Sequence, residues 1–465
     1  MDILNSILNA RDTRYKLRKT YSGKNKLGIS LTLNIPGYPK SDRHINTLFD
    51  IVLNDLIIHL KANRVIIDLE NSTKRVDDAG DFFIGSILSN NHNVYEIKDL
   101  CEEFEDNFFI PRIVDVDITD ESCNNISSKK EKKCYICKDV PAVECMRENR
   151  HTKKQLRDYL FEQINSYLEK HRREDIYNKL FKFALKSILY EVSLTPKPGL
   201  VDTLNSGVHK DMDYFTYINS SSAISYYFID IIKIAYSFDK SLKYALPEIR
   251  KIGLKMEDEM FMETGGVNTQ KGIIFLFGIS LFAIAYTLGK SNYFDMECFI
   301  NTVKSITYKL SASELAGNSL IQSHGEKCYK KFGLNIGGGI RNEVELGFPI
   351  LIKYSLPVLR NELKNKKIIA SKYEDIREPL ITTLITIIAN NNDTNVLYRG
   401  GIEKSDELKK LSFDYLNTDK KSKKKEKYSL IINFCKDNNV SPGGSADLLA
   451  LSILLFLVEE EFRLN

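Results

Sequence analysis

Residues 194–213, LTPKPGLVDTLNSGVHKDMD, put Lys197, Asp202, Asn205, His209, Lys210, Asp211 and Asp213 on one short stretch. Pro196 and Pro198 fix their own φ angles and push the preceding residue toward extended backbone, and Gly199 supplies a conformation that other residues avoid. A stiff loop this dense in charged groups suits a phosphate, a metal ion or a ribose. A second group is VDVDITD, where Asp115 and Asp117 stand two apart. On a strand they share one face while Val114, Val116 and Ile118 share the other, and two hard oxygen ligands on one face suit Mg²⁺ with substrate phosphates. The plain alternative is the solvated face of an edge strand. A third group is Cys134-x2-Cys137-x7-Cys145-x5-His151. A close Cys-x-x-Cys forms half of many tetrahedral zinc sites, the alternative being ordinary thiols around a turn. Arg147 and Arg150 beside it could contact phosphate through paired hydrogen bonds. Lys40 follows the strand-ending turn LNIPGYPK, and Arg11, Asp12 and Arg14 sit on a helical pattern where a surface ion pair is the default reading.

Two kinds of element must position these groups. Up to about residue 150 helix and strand patterns mix. KLGISLTLNIPG (26–37) alternates with period two, INTLFDIVLNDLIIHLKAN (45–63) has helical spacing, and RVIIDLENS (64–72) and RIVDVDITD (112–120) read as further strands. From about 155 strands fade, and helices are expected along QLRDYL…YEVS and at 216–238, 242–263, 270–289, 294–310, 341–365, 374–391, 404–416 and 445–463. Glycine-rich and polar clusters separate them. The expected architecture is an α+β N-terminal domain over 1–160, followed by a larger all-α helical domain over 170–465 whose loops carry the chemistry.

Composition bounds the reading. The 465 residues include 66 basic and 62 acidic side chains, a net charge of +4 that does not demand nucleic acid. The basic run DKKSKKKEKY (419–428) is expected to be a solvated loop. KGIIFLFGISLFAIAYTLGK (271–290) is the most apolar segment and reads as a buried core helix rather than a membrane span. The first residues lack the basic-then-apolar order of a signal peptide, and the eight cysteines do not form a secreted disulfide pattern, so a reducing, cytoplasmic setting is expected.

In order, RDTR, LTLNIPGYPK, DVDI and CYICKDVPAVECMRENRH resemble the holo-acyl-carrier-protein synthase of citrate lyase, the phosphoribosyl-dephospho-CoA transferase, over most of residues 1–155. That resemblance implies transfer of a phosphoribosyl-dephospho-CoA group to a serine of the lyase's acyl carrier (γ) subunit with release of pyrophosphate. A metal on Asp115 and Asp117 would offset the leaving charge, and Lys40 and Arg147 would bind substrate. YEVSLTPKPGLVDTLNSGVHKDMDY, MEDEMFMETGGVNTQKGIIFLFG, GEKCYKKFG, NEVELGFP, DTNVLYRGG and SPGGSADLLA resemble triphosphoribosyl-dephospho-CoA synthase over about 175–465. The implied reaction joins the ribose of ATP to the 2′-hydroxyl of 3′-dephospho-CoA and expels adenine. Its product is the substrate of the first half, so the resemblance implies two consecutive steps on one chain. The alternative keeps only the synthase active, with the first half a carrier-docking module.

Glycosidic cleavage builds positive charge on the ribose, so carboxylates, a base and an acid are needed. Within the matched motifs Asp202, Asp211 and Glu257 are expected to serve catalysis, and Asp211 and Asp213 to hold Mg²⁺. Substrate contacts are expected from Lys197, His209, Lys210, Asn268, Lys271, Arg341, Glu343, Arg399, Ser445 and Asp447. Gly265, Gly266 and Gly272 let backbone approach a ligand, and the helix start after Lys271 suits anions. Ser445 is expected to cap the final helix, with Asp447 in its first turn. Gln270 departs from the family pattern, which has histidine there.

Overall fold

A computed structural model describes residues 3–23, 26–89, 91–128, 131–291, 293–311, 324–364 and 372–464. Two compact units divide the chain, Met1–Glu174 and Asp175–Asn465. Mixed elements fill the first and helices the second, as the periodicities predict.

The first unit opens with helix α1 (Ile3–Tyr21) and contains strands β1 (Gly28–Leu33), β2 (Ile66–Ile67), β3 (Thr73–Asp77), β4 (Gly80–Ser89) and β5 (Val114–Thr119). They form an antiparallel sheet in the order β2-β4-β1-β5, with β3 also paired to β4. Ile29, Leu31, Leu33, Val114, Val116 and Ile118 are buried together with helices α2 (Arg43–Ala62) and α3 (Val94–Asn107). Helix α2 buries Ile45, Leu48, Phe49, Val52, Leu56 and Leu60, a stripe at three- and four-residue spacing, and Asp42 caps it by accepting from the amides of His44 and Ile45. Short α4 (Ala142–Arg147) follows, and then α5 (Lys153–Ser193), whose first part belongs to this unit.

Three expectations change here. The strand expected over 64–72 shrinks to two residues, because Asp68 turns the chain by accepting from Asn71 N at 3.1 Å. The β3–β4 hairpin has no counterpart in the periodicity reading. In β4, Phe82, Phe83, Ile84 and Ile87 are all buried, so the strand has no polar face to alternate with. Helix α3 also escaped that reading; a capping box between Asn93 and Glu96 starts it.

In the second unit α6 (Tyr214–Ser225), α7 (Phe228–Tyr236), α8 (Ala245–Glu263), α9 (Lys271–Lys290) and α10 (Met296–Ile306) come first. Helix α9 is long and apolar enough to cross a bilayer, yet it is the core rod: α7, α8, α10 and the final helix Gly443–Phe462 all pack on it. Each large apolar side chain it buries contributes about 1.5–3 kcal/mol.

Other expectations are corrected. The helix expected over 216–238 breaks between Ser225 and Phe228. The one expected over 341–365 is interrupted at Gly347, φ +77°, and resumes beyond it, running through a π-helical segment, Leu351–Ser355, into Leu356–Glu362. DTNVLYRGG is not a separating loop: Asp393 caps helix Thr394–Leu416, which kinks at Gly401. The basic run is not a loop either, since helix Lys421–Asp437 contains most of it; lysine is a good helix former when its ammonium faces water.

Candidate active sites

In the C-terminal unit the stiff loop is folded on itself. Asp202, buried, accepts from the backbone N–H groups of Lys197 (2.7 Å), Leu204 (2.7 Å) and Asn205 (3.0 Å). Lys197 is 3% exposed and donates to Glu191 Oε1 at 2.6 Å and Glu191 O at 2.8 Å. Both oxygens of Asp202 and the Lys197 ammonium are therefore engaged within the protein, which makes these two residues loop braces. Only glycine fits at 199: its φ is +65°, and a Cβ would meet Val440 O at 2.3 Å. His209 Nε2 lies 3.0 Å from Ser441 Oγ. Burial, then the Arg399 charge, lower the His209 pKa, while Asp211 opposes them. Lys210 and Asp211 are exposed on the same loop. The metal-binding expectation for Asp213 meets a different geometry: its Oδ1 accepts from Thr216 N at 2.8 Å and caps α6.

Around this loop four helix starts converge. The Asp447 carboxylate lies against the first turn of α9, where a Cβ on Gly272 would come within 1.9 Å of Asp447 Oδ2. Burial raises the Asp447 pKa well above the usual carboxylate range, and the charges of Glu191 and Asp393 raise it further. Burial and the charges of Glu191, Asp447 and Asp211 push the Tyr217 hydroxyl on α6 upward too. Asp393 serves two helices. Its Oδ1 accepts from Asn395 N at 3.0 Å, and its Oδ2 accepts from Ser445 N at 2.7 Å and Ser445 Oγ at 2.9 Å. The expected capping role of Ser445 is thus reversed: Ser445 lies inside the final helix, and Asp393 satisfies that helix's amides. Gln270 is buried between α6 and α9, accepting from Ser220 Oγ at 2.6 Å and donating to Ser221 Oγ at 3.1 Å.

The rim carries the remaining matched residues. Lys271 Nζ pairs with Glu257 Oε2 at 2.7 Å, and Asn268 Oδ1 accepts from Lys271 N at 3.3 Å. Arg341 is part-buried; burial lowers its pKa, against the charges of Glu326 and Glu257. Arg399 is exposed. Glu343 points inward and accepts from Ile350 N at 2.6 Å, and burial pushes its carboxyl up to about 7. Glu343 thus holds a turn, a role the sequence alone did not indicate. Gly265 and Gly266 are exposed with φ +64° and +88°, so their turn requires glycine for backbone reasons alone. Glu191, Tyr217 and Asp393 belong to this cluster and were not singled out from sequence. Each lies inside a matched motif or beside one, which is the only signal they carried.

The N-terminal unit arranges its carboxylates differently. Asp115 and Asp117 share the half-exposed face of β5, opposite Thr32 and Ser30 of β1. Arg18 donates to Asp117 at 2.6 Å and Lys132 pairs with Asp115. Arg11, Arg14 and Arg18 recur at helical spacing on α1. Arg14 is not a surface ion-pair member: it is buried, bonded to Asp77 and to Gly80 O, with its guanidinium 4.7 Å from the Phe82 ring centre. Lys40 donates to Ile35 O at 2.5 Å, and burial, then the charges of Arg11, Arg157 and Lys153, lower its pKa. Arg147 is exposed. The Sγ atoms of Cys134, Cys137 and Cys145 and a ring nitrogen of His151 all lie within 4.8 Å of one another.

Comparison with known proteins decides the family. The sequence model described as "ATP:dephospho-CoA triphosphoribosyl transferase" matches residues 178–465. The chain belongs to that family. The model described as "Apo-citrate lyase phosphoribosyl-dephospho-CoA transferase" matches residues 3–167, so the chain carries both transferase domains. Two relatives named Protein CitXG match nearly end to end. The one from Haemophilus influenzae is 30% identical, covering 97% of this chain and 95% of its own length. The one from Leuconostoc mesenteroides subsp. cremoris is 29% identical, covering 97% and 96%. The chain is therefore a fused transferase whose synthase domain holds the Asp393–Asp447–Glu191 cluster and whose carrier-transferase domain holds the Asp115–Asp117 pair.

Proposed function

We propose that the C-terminal unit joins the ribose of ATP to the 2′-hydroxyl of 3′-dephospho-CoA, expelling adenine. The N-terminal unit then transfers the phosphoribosyl-dephospho-CoA group to a serine of the citrate lyase acyl carrier γ subunit, releasing pyrophosphate. The observation that carries this reading is the meeting of separate matched motifs at the starts of α6, α9, Thr394–Leu416 and Gly443–Phe462. Glu191, paired with Lys197, and Asp447 place two carboxyl groups at that meeting point, the groups that a developing ribose cation calls for. Asp447, whose pKa is raised by burial, suits proton donation to the departing adenine. Lys271, Lys210, Arg341 and Arg399 stand at the rim for the phosphates.

In the N-terminal unit Asp115 and Asp117 fit Mg²⁺ by chemistry and by their shared face, with Lys132 and Arg18 balancing their charge until substrate arrives. Bound there, Mg²⁺ would offset charge on the leaving pyrophosphate. Asp213 is left out of this reading, because its Oδ1 caps α6. ATP and 3′-dephospho-CoA are the substrates in this reading, nucleic acid and membrane take no part, and the setting is cytoplasmic.

The test is incubation of the purified chain with ATP, dephospho-CoA, Mg²⁺ and apo-carrier. Mass spectrometry should find free adenine, pyrophosphate and the full mass gain on a carrier serine. Adenine release without any carrier mass gain, even with synthetic intermediate supplied, would reduce the N-terminal unit to a docking module.

A further inference from the structure

We propose that Cys134, Cys137, Cys145 and His151 hold one structural Zn²⁺. Cys137 Sγ lies 2.9 Å from His151 Nε2, and Cys145 Sγ lies 3.4 Å from Cys134 Sγ. Tetrahedral zinc with three sulfurs and one nitrogen would set such atoms about 3.5–3.8 Å apart, so the four side chains need only small adjustments. Disulfide pairing does not describe them, since bonded sulfurs stand about 2.05 Å apart.

The backbone is shaped for the purpose. The amides of Ile136 and Cys137 point at Cys134 Sγ, as donors that stabilise a metal-bound thiolate do. Lys138 adopts φ +59° directly after the second cysteine, and its N–H donates to Cys134 O at 3.1 Å, closing the turn. Cys145 projects from α4, and Asn149, φ +51°, ends that helix so that the chain returns His151 to the sulfurs. Cys134 and Cys145 are 5% and 4% exposed, which suits a closed site. Four protein ligands leave no open position for water, so the ion is structural.

Its place explains what it would hold. Between Cys134 and Cys137, Tyr135 enters the core and donates from its hydroxyl to Asn34 O at 2.7 Å. Two residues before Cys134, Lys132 pairs with Asp115. Zinc thus pins residues 132–151 to the end of the sheet and fixes the cation beside Asp115. On binding, each cysteine thiol gives its proton to solvent and the sulfur electron pair goes to the metal.

The experiment measures metal in the purified full chain by inductively coupled plasma mass spectrometry. One zinc per chain is expected, released in step with mercurial titration of the thiols. Cys134→Ser should lower zinc content by about tenfold or more, while Cys298→Ser leaves it unchanged. His151→Cys should retain zinc where His151→Ala loses it. Should Cys134→Ser fail to fold, cobalt substitution of the wild-type chain decides: a thiolate-to-cobalt charge-transfer band with tetrahedral visible bands is expected. Overturning results are wild-type protein from zinc-supplied culture that is metal-free, protein that carries iron instead, or cobalt that binds without thiolate bands.

Discussion

The two units neutralise their carboxylates by opposite means. In the N-terminal unit Asp115 and Asp117 stay half-exposed and face Lys132 and Arg18, long side chains able to swing aside. In the C-terminal unit Asp202 and Asp393 are buried and hold backbone amides, and burial with neighbouring charge raises the Asp447 pKa. The first arrangement is exchangeable, fit for charge that arrives and leaves with pyrophosphate. The second is preorganised, fit for charge that develops on a sugar in place.

Asp115→Asn with Asp117→Asn tests that contrast most severely. Carrier modification from supplied intermediate should fall about 10²–10³-fold, with adenine release unchanged. Next in size is Gly272→Ala. The nearest atoms its methyl would meet belong to the Asp447 carboxyl, which must shift, so adenine release should fall about a hundredfold while carrier transfer persists. Parallel loss in both assays would erase the distinction.

A pH measurement sharpens it further. Glu343 is raised from its ordinary 4.5 to about 7, so the folded state holds its proton more tightly than the unfolded chain does. Its favourable contribution is complete below 4.5 and is lost as pH rises through about 7. Denaturant unfolding should show Glu343→Gln abolishing about 3 kcal/mol of that decline. The smallest effect belongs to Asp213→Ser. Serine can replace the cap, so stability should hold within about 0.5 kcal/mol and adenine release within about twofold. A large fall in adenine release would restore Asp213 as a metal ligand.

Legibility followed periodicity and charge. Strands β1 and β5 were readable because one face of each is polar; β4 was not, because it is buried on both faces. The long α5 and the α9 rod showed their pattern plainly. The motif-bearing loops were readable as places, but the roles within them were not. Asp202, Asp213 and Glu343 look like chemistry in one dimension and are found holding amides, while Ser445 donates to Asp393, because hydrogen-bond commitment depends on which chain segment comes near. Glu191 and Asp393 gained significance only when folding brought them beside Asp447.

Asp393 fastens the openings of two helices with one carboxylate, so the amides at the mouth of Gly443–Phe462 already have an acceptor. A triphosphate arriving there would find that doorway shut. In the proposed reading its anchorage falls to exposed side chains such as Lys210 and Arg399, whose contacts water can replace when the charged product leaves.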